Sequence, residues 1–149
     1  MSETLIDLAH LSGADQLRAA MRGEAPAAPI ARTVGFDLIE VEEGRVVFHG
    51  LPSRAVYNPL GSVHGGWMAT LLDSACGCVV HSMLKPGQTY TTLELKTVFH
   101  RALTADTPVV ATGRIVQMGR RAAFAEADLR GTDGKLYATA TSTCLVMER

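Results

Sequence analysis

Hydrophobic and polar positions along the chain fall into three regimes. Over residues 1–28 the pattern is weakly amphipathic. "ETLIDLAHL" and "ADQLRAAMRG" each repeat apolar residues at helical spacing and predict two short helices, and the small-residue and proline stretch "EAPAAPI" closes them off. From Gly35 the period shortens. "FDLIEV" and "RVVFHGL" flank the turn "EEGR" and predict a β-hairpin. A loop leads to Asn58, and from Gly66 to about Leu84 the chain is apolar and free of proline. That run is too long for an ordinary strand and apolar nearly all round, so it predicts a buried helix, which "KPGQ" ends. The remainder carries strand signals: "YTTLELKTVF", "TPVVATGRIVQ", "RAAFAEADL" and "KLYATATSTCLVM", with turns at "MGR" and "GTDG". Alanine favours helices, but the position of "AAFAEADL" between two tight turns makes it a strand.

The resulting class is α+β. A hairpin, one long buried helix and a meander of antiparallel strands are satisfied together by a single curved sheet wrapped around the helix. Residues 29–149 form that domain, and residues 1–28 form a helical leader that packs on it or on a partner subunit.

One segment does not fit a purely structural reading. "NPLGSVHGGWMATLLDSACGCVV", Asn58 to Val80, holds a single charged side chain, Asp73, within its apolar run. Burying a carboxylate without partners costs several kcal/mol, so a role is expected for it. Gly65 and Gly66 open the same helix. The first N–H groups of a helix lack intrahelical partners and carry the positive end of its dipole, and glycine lets another group approach closely.

"N-P-L-G-S-V-H-G-G" followed by "L-L-D", then "TTLELKTVFHRA" and "MGRRAAFAEADL", resembles the hotdog-fold acyl-CoA thioesterases of the PaaI type. The match runs from about Pro29 to Val146. The resemblance implies an antiparallel sheet around a long central helix, dimers pairing edge to edge or doubling to dimers of dimers, and an active site at the dimer interface. It implies hydrolysis of an acyl- or aryl-acyl-CoA to free acid and CoA, with no cofactor and no metal.

By the same resemblance, the Gly65 N–H polarises the thioester carbonyl with help from the Asn58 amide. His64 orients Asn58 or assists the departing thiolate, and Asp73 serves as general base or as nucleophile. Thr92, with Thr91 as second choice, helps hold the water. Gly66 and Trp67 at the helix start are assigned to substrate binding. His100 and Arg101 in "FHRA", and Gly119, Arg120 and Arg121 in "MGRRA", stand at the positions that receive CoA, although Ala102 replaces the proline common in the family. Gly65 and Asp73 are eight residues apart, about 12 Å along a helix, whereas an oxyanion donor and a base must both lie about 3 Å from the reacting atoms. Two antiparallel copies of the helix solve this, so the expected site is composite.

Composition narrows the alternatives. At 149 residues and 47% hydrophobic content the chain is long enough for one domain with a real core. Fourteen basic against fifteen acidic residues leave no basic field for nucleic acid. The N-terminus carries acids early and a short apolar stretch, so neither a signal peptide nor a membrane helix is expected. Three cysteines, Cys76, Cys78 and Cys144, cannot all pair within one chain, and a reducing cytoplasm fits best. His10, His49, His81 and His100 lack ligand spacing. Two rivals remain: a hydratase or dehydratase, which needs a catalytic histidine deep in the site, and a non-catalytic acyl-CoA-binding protein; a DNA-binding regulator is set aside because the leader lacks a basic reading helix.

Overall fold

The computed structural model describes residues 7–149. Its elements are α1 (Gly13–Met21), α2 (Pro29–Val34), β1 (Phe36–Glu42), β2 (Arg45–Gly50), α3 (Gly65–His81), β3 (Gln88–Phe99), β4 (Val109–Met118), β5 (Ala122–Gly131) and β6 (Leu136–Glu148). The strands form one antiparallel sheet in the order β1-β2-β4-β5-β6-β3. The sheet curls around α3, whose Leu71, Leu72, Ala75, Cys76, Val79 and Val80 are fully buried. The expected α+β class, hairpin, central helix and late strands are all present. No helix among the described residues is long and apolar enough to cross a membrane.

The inner face of the sheet is built from small residues so that α3 can approach. Ala123, Ala125, Ala127 and Leu129 of β5 point inward, and Phe124, Glu126 and Arg130 point out. That alternation, not helix propensity, decides the alanine-rich segment. Gly113 of β4 lies against the Ala75 carbonyl, where any side chain would collide with helix backbone. Tyr90 of β3 covers Gly77 in the same way.

Two expectations about the N-terminal region change. The helix at "ETLIDLAHL" is not formed in its described part: residues 7–12 are irregular, with a turn at residues 9 and 10, and residues 3–6 lie outside the described residues. Asp7 Oδ1 accepts from the Ala9 N–H at 3.0 Å, a local bond that competes with a helix. Ser12 then caps α1 by accepting from Asp15 N–H. Conversely, α2 forms where no helix was expected. Pro29 stands in its first turn and Gly35, at φ 79°, ends it.

The leader docks on its own chain. Gly13 N–H donates to the Leu84 carbonyl at 2.9 Å, the Gln16 amide bonds His81 Nε2 at 2.9 Å, and Arg18 Nη2 donates to the Val41 carbonyl at 3.4 Å. This last bond blunts the β1 edge of the sheet. At the opposite edge, β3 is paired only with β6 among the described residues, and it exposes Leu93, Val98 and Phe99.

Candidate active site

The start of α3 is arranged so that one backbone donor stays open. Of its four N-terminal N–H groups, His64 N–H donates to the Val56 carbonyl at 2.8 Å and Trp67 N–H to the His64 carbonyl at 2.9 Å. Gly66 N–H donates to His64 Nδ1 at 2.8 Å. The Gly65 N–H has no acceptor among the described residues. Because Nδ1 accepts, the neutral His64 ring carries its proton on Nε2. Both glycines face side chains closely: a Cβ at Gly66 would lie 2.9 Å from His64 Nδ1 and displace it, and one at Gly65 would lie 3.0 Å from the Phe99 ring, which would have to give way.

Asn58 sits in the loop just before. Its Oδ1 accepts from Leu60 N–H at 2.9 Å and Ser62 N–H at 3.2 Å, and its Nδ2 donates to Ser62 Oγ at 3.1 Å. These bonds are what hold the side chain. No hydrogen bond joins His64 to Asn58 among the described residues, so the orienting contacts come from Ser62 and Leu60 instead. Asn58, Ser62, Gly65, Phe99, His100 and Arg101 line a single groove of about 440 Å³. His100 is fixed there by Thr139 Oγ1, 2.9 Å from its Nε2.

Asp73 lies two turns further along α3. It is exposed in this single chain, not buried as the apolar run suggested. The strip of α3 that bears Gly66, Thr70, Asp73 and Ser74 lies outside the buried helix face, so the carboxylate reaches solvent. Thr92 Oγ1 donates to Asp73 Oδ1 at 3.4 Å, whereas Thr91 is on the exposed side of β3. A β-bulge between Thr92 and Glu94 offsets the strand register at this point. The buried Ser142 pins the bulge by donating its hydroxyl to the Glu94 carbonyl at 2.8 Å. Ser62, Phe99 and Ser142 were not anticipated from sequence, although Ser62 lies within "NPLGSVHGG" and Phe99 within "FHRA"; Ser142 stood in no recognised motif.

The remaining expected residues divide between the two ends of β3. Arg101, exposed, belongs to the Gly65 groove. Gly119, whose N–H donates to the Ala122 carbonyl at 2.8 Å, begins the β4–β5 turn. Arg120 and Arg121 in that turn lie against Val146, Met147 and Glu148, and Val146 pairs with Tyr90 near the start of β3. From Thr92 to Phe99 is about 23 Å of extended strand. One chain therefore gathers Asn58, Gly65, His100 and Arg101 at one end, and Asp73, Thr92, Arg120 and Arg121 at the other. Trp67 joins neither set closely: it is buried, and its indole N–H donates to the Val34 carbonyl at 2.7 Å, fastening α2 to α3.

Comparison with known proteins places this geometry in a family. Residues 60–138 match the Thioesterase superfamily. A solved structure of a phenylacetic acid degradation-related thioesterase from Ralstonia eutropha JMP134 is 32% identical, with a TM-score of 0.80, covering 87% of this chain and 98% of that one. A hypothetical thioesterase from Streptococcus pneumoniae TIGR4, solved with coenzyme A, is 26% identical with a TM-score of 0.73, covering 80% and 92%. The 1,4-dihydroxy-2-naphthoyl-CoA hydrolase of Listeria monocytogenes serotype 1/2a (strain 10403S) is 23% identical over 80% of this chain and 97% of its own. A six-stranded antiparallel sheet on one central helix, the Asn-Pro…His-Gly-Gly helix start and these matches lead to one conclusion: the chain belongs to the thioesterase superfamily and has its hotdog fold.

Proposed function

We propose that the protein hydrolyses the thioester of an acyl- or aryl-acyl-CoA, at a site composed across a homodimer. The observation that carries this reading is the Gly65 N–H, left open at the mouth of a groove shared with Asn58 and Arg101 while its three neighbours are satisfied. It is a fixed donor aimed where negative charge grows on a thioester carbonyl.

Asp73 supplies the other half from the second chain. Antiparallel pairing of two β3 edges that sets Thr92 opposite Phe99 puts the two-fold axis at Lys96, once the extra residue of the bulge after Thr92 is discounted. The exposed Leu93, Val98 and Phe99 support this pairing, since an unpaired apolar edge is a ready template for another strand. It also brings Arg101 of one subunit toward the partner's Arg120 and Arg121, guanidinium groups suited to the phosphates of CoA. Asp73 takes a proton from a water held with Thr92, the hydroxide attacks the acyl carbon, and the oxyanion rests on Gly65 N–H and the Asn58 amide. Collapse breaks the C–S bond, and the thiolate leaves as CoA after taking a proton. Three free cysteines favour a reducing compartment, the cytoplasm.

The test is release of free CoA, quantified by chromatography, from acetyl, medium-chain, long-chain and aryl-acyl CoAs. The wild type releases CoA, and Asp73→Asn loses about 10²–10⁴-fold in kcat, the usual worth of a general base, while still binding substrate. Binding without release from any thioester would instead identify a non-catalytic acyl-CoA-binding protein.

A further inference from the structure

On the α3 strip that adjoins Asp73 the chain forms a partly open apolar cavity of about 270 Å³, and α1 of the leader and α2 after it build part of its wall. Leu17 of α1, Ala31 of α2, Phe36 of β1, Phe48 of β2, and Ser74 and Cys78 of α3 line it. Ser74 directly follows Asp73, so the cavity begins one residue from the carboxylate. Phe36 and Phe48 meet edge to face at 5.6 Å, an aromatic corner of the wall. Burial pushes the Cys78 thiol up to about 12, so that wall stays uncharged. Asp37 is the sole carboxylate among the described lining residues, and it is exposed to solvent.

The two spaces flanking the reacting centre differ in kind. The Gly65 groove holds Asn58, His100 and Arg101 and suits the polar part of a thioester. The cavity under the leader suits its apolar part. We propose that this cavity is the acyl pocket, receiving the apolar acyl group of the thioester whose carbonyl lies at Asp73 of the same chain. The proposal rests on the thioesterase reading of Asp73. A dry cavity of about 150 Å³ holds a benzene ring, so this one accepts about one ring with a short substituent, or about eight chain carbons. The alanine-rich stretch leading into α2 acquires a purpose: small side chains there leave room for the ligand.

The experiment is kcat/KM over saturated acyl-CoAs from two to twelve carbons, plus phenylacetyl-CoA, for wild type, Ala31→Phe and Leu17→Ala. Each buried methylene strengthens binding about fourfold, so the wild-type value climbs to about eight carbons and then levels off. Ala31→Phe fills the cavity and lowers the octanoyl-to-acetyl ratio about tenfold or more, with the phenylacetyl-to-acetyl ratio following. Leu17→Ala enlarges it and raises the decanoyl-to-octanoyl ratio. Ratios cancel any general loss of folded protein. If both variants scale every substrate equally, the acyl group lies elsewhere and the proposal falls. Calorimetric binding of octanoyl- and acetyl-CoA to Asp73→Asn, with and without Ala31→Phe, separates the two readings. Chain-length preference that is lost with Ala31→Phe supports the pocket even if no thioester is hydrolysed. Hydrolysis with a preference that ignores Ala31 overturns the pocket and leaves the hydrolase standing.

Discussion

Gly65 and Gly66 are adjacent and both lack a side chain, for different reasons. Gly66 makes room for the His64 ring that caps its own N–H, and Gly65 makes room for Phe99. In Gly66→Ala the new methyl would sit 2.9 Å from His64 Nδ1 and must displace the cap. Losing such a cap costs about 1 kcal/mol, a fall of about 2–6 °C in melting temperature for a domain of this size. Thermal unfolding of the two proteins measures it; an alanine variant as stable as wild type would show that the His64 bond holds nothing. The family resemblance singled out Asn58, His64, Gly65 and Asp73 as candidates from the sequence, and the structure sets Asn58 and Gly65 on one groove with Asp73 two turns further along α3. The partner of His64 was not legible, since a side-chain acceptor can turn either to Asn58 or back to its own helix, and only the rotamer decides. Nor was the exposure of Asp73: an apolar run says what surrounds a residue along the helix, not which strip the sheet leaves open.

Ser142 shows how an element as a whole aims a residue. Its hydroxyl holds the Glu94 carbonyl, and with it the bulge that follows Thr92. Ser142→Ala leaves that carbonyl without its partner, at about 1–2 kcal/mol, and lowers kcat more than it changes KM because Thr92 is no longer held toward Asp73. In a double-mutant cycle with Thr92→Val the effects on kcat are non-additive; strict additivity would separate Ser142 from Thr92. At the other end of α3, His81 ties the helix to α1 through Gln16 and faces the Tyr90 ring edge at 5.9 Å. Burial first, and then the charge of Arg149, hold its imidazole below its ordinary value of 6.5. The folded state therefore binds fewer protons there than the unfolded chain, and stability falls as pH drops below about 6.5. Melting temperatures of wild type and His81→Gln between pH 7.5 and 5 converge toward acid, because the variant lacks this slope; parallel curves would remove His81 from the account. The central helix and the strands were readable from period and length. The one-turn helix α2 was not, because six residues carry no periodicity and its signals, a proline inside the start and a glycine past the end, also mark a loop.

On the scale of the whole molecule, the two edges of the sheet underlie the proposal that half a site stands at each end of β3. The β1 edge is covered by Arg18 and α1 of the leader and by α2, which follows it. The β3 edge is long and apolar and has no partner strand beyond β6 among the described residues. The need for two copies could be argued from sequence, since eight helical residues separate Gly65 from Asp73. Which edge would join them could not, because strand order is set by long-range pairing and leaves no local mark. The most direct test of the composite site mixes two inactive variants, Asp73→Asn and Asn58→Ala, unfolds and refolds them together, and measures CoA release. In a two-fold hybrid one site receives Asp73 and Asn58 intact from different chains while the other receives both substitutions, so the mixture recovers about a quarter of wild-type activity. A mixture no more active than its parents would mean that each chain carries a complete site of its own.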